Sequence, residues 1–76
     1  MEETKFETAL KIWMVENGYI NKGWRFSIES KSAIGNSDLA EVICKAYEPR
    51  KRKPFYITFK YNFVREQIKT DTIQVN

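Results

Sequence analysis

Asp38-Leu39-Ala40-Glu41-Val42-Ile43-Cys44-Lys45-Ala46-Tyr47-Glu48 can be read in two ways, and the choice decides the fold. As a helix, Leu39, Val42, Ile43, Ala46 and Tyr47 form one apolar stripe, with Ser37 placed as an N-cap. As a strand, Ala40, Val42, Cys44 and Ala46 share one face, and Leu39, Glu41, Ile43, Lys45 and Tyr47 share the other. Periodicity alone does not separate the two in so short an apolar segment. The sequence on its C-terminal side does.

From Pro54 to Val64 the alternation is strict: Phe55, Ile57, Phe59, Tyr61 and Phe63 interleave with Tyr56, Thr58, Lys60 and Asn62. That is a strand, and one this long needs neighbours or becomes an exposed edge. Taking Arg50–Lys53 as a short, even-numbered hairpin loop puts Ala46 opposite Ile57, Cys44 opposite Phe59, Val42 opposite Tyr61 and Ala40 opposite Phe63. Small side chains then face large ones on a single apolar side. A slip of one residue would bring Tyr47 and Lys45 to that side instead. The matching favours the strand for residues 38–48. Beyond a turn near Arg65-Glu66, the β-branched run Ile68, Thr70, Thr72, Ile73 and Val75 predicts a last strand over Gln67–Val75.

On the N-terminal side, Phe6, Ala9, Leu10, Trp13 and Met14 follow helical spacing. Thr4 and Glu7 stand in capping-box spacing, Glu2 and Glu3 suit the positive end of a helix dipole, and Asn17-Gly18 is a natural stop. A helix over Lys5–Asn17 is expected. A second stripe, Thr8, Ile12 and Val15, falls on its far face and is either covered by loops or a partner contact, such as a homodimer interface. Asn21-Lys22-Gly23 marks a turn, and Trp24, Phe26 and Ile28 alternate with Arg25, Ser27 and Glu29 as a half-buried strand. Ser30–Ser37, with Gly35-Asn36 inside it, reads as a loop. The expected architecture is a single α+β domain over residues 1–76, an N-terminal helix packed on one face of a four-stranded, mainly antiparallel sheet.

Composition excludes several chemistries. The 76 residues contain no histidine, which removes the Ser-His-Asp arrangement and the commonest general base at neutral pH. Cys44 is the sole cysteine, so neither an intrachain disulfide nor a thiolate zinc site can form, and a reducing, cytoplasmic setting is expected. The three glycines are scattered and build no phosphate loop. The first residues carry neither the basic nor the apolar region of a signal peptide, and no apolar run approaches a membrane span. Glu29, Glu41, Glu48, Glu66 and Asp71 read as solvated acids. Asp38 and Lys60, on a hairpin after a helix and a strand, resemble two positions of the PD-(D/E)XK nuclease pattern. The acid that pattern requires two residues before the lysine is Thr58 here, so a principal metal ligand is missing. No enzyme, cofactor or metal site is expected.

The basic residues are unevenly spread. The formal charge is +3, from 13 cations and 10 anions, and Arg50, Lys51, Arg52 and Lys53 supply four of the cations, leaving −1 for the rest. Such a tip can attract phosphate, or can be a solvated turn that keeps the chain soluble. The run Pro49–Pro54 also resembles a short nuclear localisation signal. In the register above, the second face pairs Tyr47 with Tyr56, Lys45 with Thr58 and Ile43 with Lys60. Rings beside cations suit single-stranded nucleic acid, although cross-strand tyrosines also stabilise sheets that bind nothing. The candidate nucleic-acid site is therefore Arg50, Lys51, Arg52 and Lys53 for phosphates, Tyr47 and Tyr56 for stacking, and Lys45 and Lys60 in support. The alternative is a protein-interaction module, an inhibitor or adaptor of the kind phages and mobile elements encode, using Thr8, Ile12 and Val15 or an edge strand.

Overall fold

The computed structural model describes residues 2–76, with side chains from residue 5 onward. Helix α1 (Glu2–Glu16) precedes four strands, β1 (Arg25–Ala33), β2 (Leu39–Tyr47), β3 (Phe55–Asn62) and β4 (Gln67–Val75). All neighbouring strands pair antiparallel, in the order β1-β2-β3-β4. Residues 39–47 are a strand, so the α+β architecture expected from the sequence is the observed one.

The helix starts earlier than the capping box implied. The backbone at Thr4 is already helical, so it is not the cap, and its side chain lies outside the described residues. Glu7 is engaged elsewhere in the fold. Its Oε2 accepts a 2.8 Å hydrogen bond from the Ile28 amide on β1, beside the irregularity in the β1–β2 ladder between Ile28 and Ser30. The C-terminal end is closed as the sequence signalled. Gly18 has φ +82°, its amide donates to the Val15 carbonyl at 3.2 Å, and the Tyr19 amide donates to Met14 at 2.9 Å. That pair of bonds is a Schellman motif, and its usual apolar contact is present as Trp13 stacked on Tyr19 at 5.8 Å.

One face of the sheet is core. Val42, Cys44 and Ala46 of β2 and Ile57 and Phe59 of β3 are buried with Leu10, Met14 and Ile20. Two expectations about apolar residues are corrected. Val15 packs against this cluster, so the second helix stripe narrows, with Ile12 53% exposed on it. Phe63 is not core but 49% exposed, because β3 ends at Asn62. There the Asn62 side-chain oxygen accepts the amides of Val64 and Arg65 at 3.0 and 2.8 Å and turns the chain away.

The β2–β3 register also differs from the expected one. Ala46 lies opposite Phe55, Cys44 opposite Ile57, Val42 opposite Phe59 and Ala40 opposite Tyr61. The faces are those predicted, since the displacement is two residues and the side-chain period is two. Its cause is the turn. Lys51 donates its amide to the Glu48 carbonyl at 3.1 Å, with Pro49 second and Arg50 third at φ +69°, the pattern of a type II turn. This turn sits earlier in the chain than a loop over Arg50–Lys53.

The segment Ser30–Ala33, expected in a loop, continues β1 and pairs as far as Ala33 with Ala40. On β4 the register jumps between the partners of Thr58 and Lys60. Thr72 fills the gap: its hydroxyl accepts the Lys60 amide at 2.9 Å and donates to the Lys69 carbonyl at 2.6 Å.

Two substitutions test these joints. At Gly18 an added Cβ meets no atom within 4 Å, so Gly18→Ala carries only the penalty of a left-handed backbone, about 1 kcal/mol in urea unfolding. Thr72→Val keeps the shape and removes both hydroxyl bonds. A loss of about 1 kcal/mol is expected, read as a melting temperature lower by roughly 4–8 °C.

Candidate nucleic-acid interface

The helix covers one face of the sheet and leaves the other open. On that open face the cross-strand rows follow from the ladders. Arg25 lies opposite Tyr47. Ser27, Lys45 and Tyr56 form the next row, then Ser30, Ile43, Thr58 and Gln74, and then Ser32, Glu41, Lys60 and Lys69. The strands end beside the turn that carries Arg50, Lys51, Arg52 and Lys53, all four exposed.

The predicted tyrosine pair is not formed. Tyr56 faces Lys45, and Tyr47 faces Arg25 across the other ladder, because the turn displaces β3 by two residues. A different aromatic arrangement replaces it. The Arg25 guanidinium carbon lies 4.5 Å from the Tyr47 ring centroid, and Lys45 Nζ lies 5.6 Å from the same ring. A guanidinium over a ring face is held by the ring quadrupole and keeps its donor edge available. Hydrogen bonding to the Tyr47 side chain, and after it the electrostatic effects of Tyr47 and Glu29, push the Lys45 ammonium above its usual range.

Lys60 does not join this group. Four residues separate it from Tyr56, about 13 Å along a strand, and it stands between Glu41 and Lys69. Its row has mixed sign, with Lys69 also 3.9 Å from Asp71. The predicted site thus divides. The tip, Lys45, Tyr47 and Tyr56 share one end of the sheet, and Lys60 belongs to the other.

Two cations at the basic end escaped the sequence reading. Arg25 reads as a solvent-facing residue of a half-buried strand, and Lys11 lies outside both helix stripes singled out in the sequence. Both line a cleft of about 410 Å³ at the β1 edge, together with Trp24, Lys45 and Tyr47. The available signal was parity. An antiparallel β1 beside β2 must place Arg25 on the face that carries Lys45 and Tyr47.

The other end also exposes apolar side chains. A larger cleft of about 720 Å³ opens between Phe6, Ala33, Tyr61 and Phe63, with Lys5, Lys31 and Glu66 at its rim. Lys31 Nζ sits 5.1 Å from the Phe6 ring.

Cys44 is buried in the core, and desolvation, followed by the Glu7 charge, pushes its thiol up to about 12, far from a reactive thiolate. Among the described residues no group of three or more His, Cys, Asp or Glu is placed to hold a metal ion, and no helix is long and apolar enough to cross a membrane. No protein-family model matches the chain, and neither a curated protein nor a solved structure matches it.

The turn offers a stability test independent of binding. A non-glycine residue at Arg50 costs roughly 1–2 kcal/mol in the left-handed region, against 0.5–1 kcal/mol for the extra chain entropy of glycine. Arg50→Gly is expected to raise unfolding free energy by up to about 1 kcal/mol in chemical denaturation while removing one cation from the tip.

Proposed function

We propose that the protein is a small non-enzymatic binding protein that engages nucleic acid through the β2–β3 tip and the adjoining end of the open sheet face. The observation that carries this reading is the Arg25 guanidinium lying over Tyr47 at 4.5 Å, with Lys45 beside the same ring. Arg50, Lys51, Arg52 and Lys53 supply the long-range attraction, since without them the chain carries −1. Bases stack on Tyr56, each contributing about 1–3 kcal/mol, while Arg25 and Lys45 hold the phosphates of the same segment. Tyr47 serves chiefly to fix Arg25.

A second reading, contact with a protein partner, is favoured by the apolar end, where Phe63 and Val64 are 49% and 63% exposed on adjacent residues. The helix residues Thr8, Ile12 and Val15 contribute less to that reading now that Val15 packs on the core.

Titration of labelled single- and double-stranded oligonucleotides at several salt concentrations separates the two. With two to four tip cations on phosphates, log affinity falls with log salt at a slope of roughly −1.5 to −3.5. Replacing Arg50, Lys51, Arg52 and Lys53 by serine flattens that slope while the circular dichroism spectrum is retained. Absence of binding to either oligonucleotide at low salt overturns the proposal and leaves the apolar end as the working surface.

A further inference from the structure

We infer that the cleft at the β1 edge receives a phosphomonoester, the terminal phosphate of a nucleic-acid strand or of a free nucleotide. The inference rests on the nucleic-acid reading for its strand-end form, and on the cleft alone for its general form.

Three cations from three separate elements line this one space of about 410 Å³: Lys11 from α1, Arg25 from β1 and Lys45 from β2. None of its lining residues is an aspartate or glutamate. Glu29 acts on Lys45 from outside that lining. Like charges brought together around a shared cleft repel, and an anion seated between them reverses the sign of that interaction. The charge count then selects the anion. An internal phosphodiester brings one negative charge, whereas a terminal monoester brings about −1.5 to −2 at pH 7 and three acceptor oxygens. Three converging donors match the second better than the first. Arg25 is already oriented by its contact with Tyr47, so little side-chain freedom remains to be lost when its planar fork meets the phosphate oxygens.

Position supports the same assignment. β1 is an edge strand, and the cleft wraps from Arg25, Lys45 and Tyr47 on the open face to Lys11 on the helix side. A single strand crossing the sheet from the tip runs out of sheet at this edge, where its end meets the three cations.

The test compares single-stranded oligonucleotides of one sequence carrying a 5′-phosphate, a 3′-phosphate or hydroxyls at both ends. One phosphorylated form is expected to bind about tenfold tighter than the hydroxyl form, the gain of one charge-assisted contact set. Lys11→Gln and Arg25→Gln are each expected to bring that ratio close to one, with folding checked by circular dichroism. A parallel titration with a nucleoside 5′-monophosphate, its unphosphorylated nucleoside and inorganic phosphate follows the Arg25 and Tyr47 amides by NMR. Shifts with the monophosphate but no binding of any oligonucleotide assign the cleft to free nucleotides and overturn the nucleic-acid reading alone. Shifts with the monophosphate and a ratio of one among the oligonucleotides also assign it to the free form. Equal affinity of all oligonucleotides, with no shift from monophosphate or inorganic phosphate, overturns the inference and leaves the nucleic-acid reading standing.

Discussion

The architecture depends on how little room β2 takes up. Its inner face carries Ala40, Val42, Cys44 and Ala46, all buried, and β2 is flanked by β1 on one side and β3 on the other. Small side chains there let Phe55, Ile57, Phe59 and Tyr61 lean across from β3 and let Leu10 and Met14 of the helix descend onto the same layer. Interiors packed to this density accept neither a missing methyl nor an extra one without displacement. The same strand also fixes the opposite side. Tyr47 meets Arg25, and Lys45 meets Tyr56, because Ala46 is seated between Phe26 and Phe55. The chemistry of the open face is therefore set from beneath.

Much of this was legible in the residue order, and the gaps have physical causes. Alternation from Pro54 to Val64 identified a strand, which the structure ends at Asn62, small residues facing rings identified its neighbour, and Gly18 marked the end of the helix. Period-two alternation determines which face a side chain takes, but it is blind to displacement by two. The missing quantity was turn geometry. A left-handed backbone at that turn position is ordinarily advertised by glycine or asparagine, and here the residue is Arg50. Hence the tyrosine pair was expected and the Arg25–Tyr47 contact was not. Ser30-Lys31-Ser32-Ala33 has the composition of a loop, and its strand character comes from pairing with β2, a tertiary effect that local propensity does not carry. The capping box failed for a related reason. The helix already runs through Thr4, and Glu7 accepts the Ile28 amide across the fold.

The two ends of the sheet differ in kind. At one, exposed cations, two tyrosines and a cleft without lining carboxylates are gathered by the β2–β3 turn and the start of β1. At the other, alternating Glu41, Lys60 and Lys69 cancel much of their own field, and the exposed large apolar side chains are Phe63 and Val64. The asymmetry explains why a small net charge still gives a directional field. It also explains why Lys60, attractive in the sequence, has little part in the basic site.

Each ladder joins strands that are consecutive in the chain, with no crossover anywhere in the sheet. Contacts are therefore closed over short loops, and relative contact order stays low for a protein so rich in β-structure. Assembly can spread outward from the central hairpin, with β1 and β4 each zipping onto an edge that already exists. The edges of β2 and β3 are then covered early in refolding, which leaves only the outer edges of β1 and β4 open to pairing with another chain.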